Sequence, residues 1–133
     1  MTRYNYDDDV QFSTNVEKPV IAGFAFNDVN GNGINDDRLF NRVQGIKVEL
    51  YDGNTKIAET VTTEGGYYEF VIDGSYSGKN YRIKAILNNG MSFGKSSDGG
   101  YMNNGVGGDG YSEVINLNNK IDLKIVNIGI KLG

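Results

Sequence analysis

Asp28-Val29-Asn30-Gly31-Asn32-Gly33-Ile34-Asn35-Asp36-Asp37 lies between two apolar stretches, Val20-Ile21-Ala22-Gly23-Phe24-Ala25-Phe26 and Ile46-Lys47-Val48-Glu49-Leu50-Tyr51. The loop has the spacing of a calcium site. Calcium is a hard cation that takes six to eight oxygens, and short oxygen-bearing side chains at alternate positions deliver them. Asp28, Asn30 and Asn32 fill positions 1, 3 and 5. Gly33 stands at position 6, where the chain must turn sharply, and Ile34 offers a backbone carbonyl at position 7. Asp36 falls at position 9, where a water often mediates. Position 12, normally a bidentate Glu, is Leu39, so the strongest ligand of the pattern is missing. A solvated Asn/Asp/Gly turn is the competing reading, because these residues dominate loops for backbone reasons alone. The run of matches in one register favours the metal.

The flanks say what kind of metal loop this is. A helix-opening calcium sensor needs a helix leaving the loop, and Arg38-Leu39-Phe40-Asn41-Arg42-Val43-Gln44-Gly45 is too short and ends in Gly. Beyond it, Ile46, Val48 and Leu50 alternate with polar residues as a half-buried strand does. The loop therefore reads as a clip between two strands of a β domain.

Strand patterns continue along the chain. Lys56-Ile57-Ala58-Glu59-Thr60-Val61-Thr62 follows an Asp52-Gly53-Asn54 turn and makes a hairpin with 46–51. After Glu64-Gly65-Gly66, one face carries Tyr68, Phe70 and Ile72. Tyr81, Ile83, Ala85 and Leu87 alternate inward in the next strand. Residues 88–110 are rich in Gly, Asn and Ser and read as a long loop. Residues 111–117 and 121–132 read as the last two strands. In the final one, Ile121, Leu123 and Ile125 share one face while Val126, Ile128, Ile130 and Leu132 share the other. An unbroken strand would expose one set, so a β-bulge or kink near Ile125-Val126 is expected to restore the inward phase. Residues 1–19, with Tyr4, Tyr6 and the Asp7-Asp8-Asp9 run, read as a linker or N-terminal arm, and 20–133 as the domain. No helix pattern appears. The fold class expected is all-β, an immunoglobulin-like antiparallel sandwich of two sheets with about seven strands.

Composition narrows the function classes. The chain has 133 residues, 19 Gly, 9 Tyr and 6 Phe, which suits one domain of short strands and tight turns. A net charge of −4 without a Lys/Arg cluster argues against nucleic acid. With no Cys and no His, disulfides, thiolate catalysis, histidine triads and the usual zinc sites are excluded. No apolar run approaches membrane-spanning length. No signal peptide or sorting signal is evident, and a module of something longer is the expectation.

Three stretches together carry a family resemblance. They are Phe24-x-Phe26-Asn27-Asp28-x-Asn30-x-Asn32-Gly33-Ile34-x-Asp36, Val43-Gln44-Gly45-Ile46-x-Val48-x-Leu50-Tyr51-Asp52, and Thr62-Thr63-x-x-Gly66-x-Tyr68-x-Phe70. The combination resembles the SdrD B-type repeat, a calcium-binding relative of the Cna B-type domains of Gram-positive adhesins and other secreted multidomain proteins. The match is good from about 20 to 87. It weakens toward Asp109-Gly110-Tyr111-Ser112 and Asn127-Ile128-Gly129-Ile130. The resemblance implies an extracellular or cell-surface Cna B-type sandwich, stiffened by Ca2+, that spaces neighbouring domains of the same polypeptide as a monomer.

The departures bear on the site. The family loop usually reaches an acid just after position 9, and here Asp37 is the residue available. Residues 40–42 look like an insertion. Cna B-type relatives often carry a Lys–Asn isopeptide bond. Lys18 or Lys47 with Asn127 are the pairs to consider, but the usual Glu-containing motif after the Gly-x-Tyr turn is missing, and solvated lysines are the expectation. The first metal set is thus Asp28, Asn30, Asn32, Ile34, Asp36 and Asp37. Asp98 and Asp109, in Gly-rich surroundings, form a second candidate set, the alternative being a plain Gly-rich excursion. An enzyme is disfavoured because no nucleophile motif is present. Binding of a host or cell-wall protein or glycan through Tyr4, Tyr6, Tyr51, Tyr67, Tyr76 and Tyr101 is the alternative to a spacer.

Overall fold

The computed structural model of the chain describes residues 18–28, 42–94 and 104–132. Eight strands occur among them: β1 (Val20–Asn27), β2 (Lys47–Asp52), β3 (Thr55–Val61), β4 (Tyr67–Val71), β5 (Tyr81–Ile86), β6 (Met91–Phe93), β7 (Leu123–Ile125) and β8 (Ile128–Leu132). They form two sheets. The larger has the order β4-β1-β8-β6, with β7 also beside β1, and the smaller has the order β3-β2-β5. No helix is present among the described residues. The architecture is the all-β two-sheet sandwich that the strand patterns predict.

The inward faces follow from strand alternation, since successive side chains point to opposite sides. Ile21, Ala25, Tyr68, Phe70, Ile128 and Ile130 from the larger sheet meet Val48, Leu50, Ile83 and Ala85 from the smaller in one core. Burying each such aliphatic or aromatic side chain contributes roughly 1.5–3 kcal/mol. The expected inward sets, Ile46/Val48/Leu50, Tyr68/Phe70/Ile72 and Tyr81/Ile83/Ala85, are all buried. Leu87 packs against the same core from its margin. The hairpin joins β2 to β3 around Gly53, with a register shift between Leu50 and Tyr51.

Two segments depart from expectation. The Gly-rich stretch 88–110 is not all loop, because Met91–Phe93 pairs with β8 as an edge strand. Residues 111–115 do not form a regular strand. They run along β5 through the Lys84–Tyr111 and Tyr81–Ile115 bridges, with four residue steps facing three. The extra residue is a bulge. There the Ser112 hydroxyl replaces a backbone partner by accepting from Ile83 N–H at 3.1 Å.

The last strand breaks where the two apolar sets change over, but not in the way expected. β7 and β8 both pair with β1 in parallel, and the offset is the same on either side of the break: Val20 faces Leu123 and Ala25 faces Ile128. No residue is inserted and the phase is not restored. Val126, Ile128 and Ile130 face the core. Leu123 and Ile125 lie on the outer face beside Val20 and Ala22. Leu123 is accordingly 60% exposed, and Ile121, in the turn before β7, is 65% exposed. What breaks the strand is a pair of substituted hydrogen bonds. The Val126 carbonyl accepts from the Tyr68 hydroxyl at 2.5 Å. The side-chain Oδ1 of Asn127 accepts from Phe24 N–H at 2.9 Å. Phe24 N–H and the Val126 carbonyl, which would pair with each other in an unbroken ladder, each find a side-chain partner instead.

Gly23 makes the kink sterically feasible. A Cβ there would lie 2.0 Å from the Val126 carbonyl oxygen, so only glycine lets the two backbones approach.

Candidate functional site

The outer face of β1 continues through Phe24 and Phe26 to Asp28, the residue that opens the candidate metal loop. Phe26 and Asp28 are both 1% exposed. The guanidinium of Arg42, where the chain returns from the loop, stacks on the Phe24 ring at 3.6 Å. Its Nε and Nη1 are buried without a hydrogen-bond partner. The ring face therefore takes up the charge that hydrogen bonds do not. Burial lowers the Arg42 pKa below its ordinary value.

Asp28 is held from several sides. Its backbone N–H donates to the Ile130 carbonyl at 2.8 Å. A Cβ placed on Gly94 would lie 3.1 Å from Asp28 Oδ2 and 3.2 Å from Asp28 Cβ. The absence of a side chain at Gly94 is what leaves room for this carboxylate. Gly94 in turn donates its N–H to the Gly129 carbonyl at 2.8 Å. Gly129 N–H donates to Asn104 Oδ1 at 2.9 Å. The same Oδ1 accepts from Val106 N–H at 3.2 Å. The end of β1, the end of β6 and the chain at Asn104 are thus rooted on one short stretch of β8, Ile128–Ile130.

Of the first predicted metal set, Asp28 is the member within the described residues; Asn30, Asn32, Ile34, Asp36 and Asp37 lie outside them. Of the second set, Asp98 lies outside and Asp109 inside. Asp109 is exposed, and its Oδ1 accepts from Tyr111 N–H at 3.0 Å, which makes it the side-chain brace of a tight turn. Among the described residues no group of three or more acidic side chains comes together. A buried aspartate in a cradle that a Cβ would fill suits a hard cation, whose ligands must be oxygens held close together.

The other sequence candidates settle into structural roles. Lys18 pairs with Asp73 at 3.3 Å. Lys47 lies on the outer face of the smaller sheet, 4.0 Å from Glu59. Asn127 is buried in the larger sheet with its Oδ1 engaged by Phe24 N–H. Lys18 and Lys47 are thus each placed beside a carboxylate, and Asn127 against Phe24. Among the tyrosines, Tyr51 donates its hydroxyl to Glu49 at 2.9 Å and packs edge-on to Tyr111. Tyr67 donates to Glu69 at 2.8 Å and packs on Phe24. Tyr76 packs against the core. Tyr51 and Tyr67 lie along their strands, and Tyr76 lies in the connection between β4 and β5. Tyr4, Tyr6 and Tyr101 lie outside the described residues.

Sequence reasoning missed Gly94 and Asn104. The usable signal was faint: a glycine and an asparagine in stretches that read as plain turn composition.

The family model for the SdrD B-like domain matches residues 20–129. No curated protein matches the chain.

Proposed function

The chain belongs to the SdrD B-like domain family, and from that membership we propose that it is a calcium-stiffened spacer in a multidomain surface protein. SdrD B-like domains are structural modules of cell-surface adhesins. On this reading the module sits outside the cell, performs no turnover and separates neighbouring domains of its own polypeptide.

The observation that carries the reading is the position of Asp28. It closes the outer row of β1, is buried, and is pinned through its backbone to Ile130 of β8. A cation held by Asp28 with Asn30, Asn32, the Ile34 carbonyl, Asp36 and Asp37 would fasten the inter-strand loop to the strand pair that runs through the module. When bound, calcium supplies a point of positive charge that gathers these oxygens. The chain's own contribution is to fix the first carboxylate before the ion arrives.

The topology supports a spacer independently. β1 and β8 are neighbours and run parallel, so the chain enters beside Val20 and leaves beside Leu132 at the opposite end. With Ile128 level with Ala25, the distance from Val20 to Leu132 along the strand direction is roughly 30 Å at about 3.3 Å per residue. Tension between the ends would load the β1–β8 hydrogen bonds together rather than one after another.

Limited proteolysis tests the reading. With calcium, the segment from 27 to 45 should resist cleavage, and with chelator it should be cut first. Equal cutting under both conditions would reject the clip, and specific glycan capture by the isolated module would favour a binding role.

A further inference from the structure

We infer that Gly94 is a positioning residue for the Asp28 carboxylate and sets the module's calcium affinity from the far side of the sheet; this rests on the calcium reading of the loop that Asp28 opens. The two residues are 66 positions apart in sequence yet meet at the end of the larger sheet. A Cβ on Gly94 would stand 3.1 Å from Asp28 Oδ2, 3.2 Å from Asp28 Cβ and 3.4 Å from the Gly129 carbonyl carbon. Contact with Asp28 Cβ matters as much as contact with the oxygen. The carboxylate can rotate away from a methyl group, but its own Cβ is fixed to the backbone that Ile130 holds. Relief of the clash therefore moves the carboxylate relative to the loop it serves.

The wall cannot retreat easily. Gly94 is tied to Gly129 by its N–H at 2.8 Å, and Gly129 is tied to Asn104 by its own N–H at 2.9 Å. A Cβ on Gly129 would lie 3.0 Å from Asn104 Cβ and 3.1 Å from Phe26 Cζ, so this layer is already close-packed. Gly94 carries no left-handed φ, and alanine is compatible with its backbone. Its cost falls on Asp28 and not on the turn. Partners that orient a metal ligand without touching the ion typically change metal affinity by about 10- to 100-fold.

The test is calcium titration of Gly94→Ala by calorimetry, alongside melts in chelator. Gly65→Ala, whose added Cβ meets nothing within 4 Å, is the control. Gly94→Ala should bind calcium about tenfold or more weakly at temperatures where its melt in chelator shows it folded. In an Asp28→Ala background, Gly94→Ala should have no further effect on the calcium response. Wild-type binding with unchanged affinity in Gly94→Ala would overturn this inference alone. Absence of calcium binding by the wild type would overturn the loop reading and this inference with it. If Gly94→Ala does not fold in buffer alone, the same titration is run on wild type and variant in an osmolyte that favours the compact state. Weaker binding by the variant there supports the inference, and equal affinities overturn it.

Discussion

Gly23→Ala is the sharpest perturbation the fold offers, because the added methyl has nowhere to go. Its Cβ would lie 2.0 Å from the Val126 oxygen and 2.7 Å from the Val126 carbonyl carbon, both backbone atoms that no rotamer change can move. Separating β1 from the kink strains three hydrogen bonds: Val126 N–H to the Ala22 carbonyl at 2.8 Å, Tyr68 hydroxyl to Val126 at 2.5 Å, and Phe24 N–H to Asn127 at 2.9 Å. Each contributes about 0.5–1.5 kcal/mol net, so losing two costs about 1–3 kcal/mol. Overpacking adds about 1–3 kcal/mol. The expected loss is about 2–6 kcal/mol, a large share of the 5–15 kcal/mol (roughly) that holds a domain together. A chain of this size changes its melting temperature by roughly 3–5 °C per kcal/mol, which puts Gly23→Ala about 6–30 °C below the wild type. Thermal melts and urea titration followed by circular dichroism measure this, with Gly65→Ala as the benign comparison. A loss under about 1 kcal/mol would refute the argument that the parallel terminal strands close over a glycine.

Two further outcomes follow from the same sheets. Tyr68→Phe removes the hydroxyl that Val126 accepts and leaves a buried carbonyl short of a partner, so urea titration should show a loss of about 1–3 kcal/mol; an unchanged midpoint would mean water replaces the bond. Glu49 should govern part of the acid limb. Burial alone would raise its pKa, but hydrogen bonds from Lys56 and Tyr51 outweigh that and hold it below the ordinary value. Its contribution is therefore present above the ordinary glutamate pKa of about 4.3 and disappears as pH falls through the lower folded value. The stability gap between wild type and Glu49→Gln should narrow from pH 5 downward (about one unit either side of that pKa), and parallel curves across that range would contradict the assignment.

How much of this was legible beforehand depended on whether a physical signal was local. Alternation in 46–50, 68–72 and 81–87 named the inward residues directly, because each strand has one buried face and a period of two. The Asp52-Gly53-Asn54 turn fixed the first hairpin for the same local reason. Met91–Phe93 was invisible, since a triplet carries no period and its neighbours read as loop. The break at 126–127 was visible as a change of apolar set, but its cause was not. The cause is a carbonyl turned onto Gly23 and an amide side chain standing in for backbone, both supplied from the other end of the sequence. The expected bulge treated exposure of Ile121 and Leu123 as forbidden, whereas Ile121 lies in the turn before β7 and Leu123 on the outer face of the sheet, both exposed. At the candidate site, the spacing of oxygen-bearing side chains pointed to Asp28, and the structure shows that residue buried. Gly94 and Asn104 were not legible, because their role comes from approach in space across the end of the larger sheet.

The central claim is that calcium on the Asp28 loop stabilises the native module. Melting the wild type and Asp28→Ala, each with calcium and with chelator, tests it most directly. Calcium at a hundredfold excess over Kd stabilises by about 2.7 kcal/mol, which is roughly 10 °C for a chain of this size. The wild type should show a rise of that order, largely lost in Asp28→Ala. Superimposable wild-type melts with calcium and with chelator would contradict it.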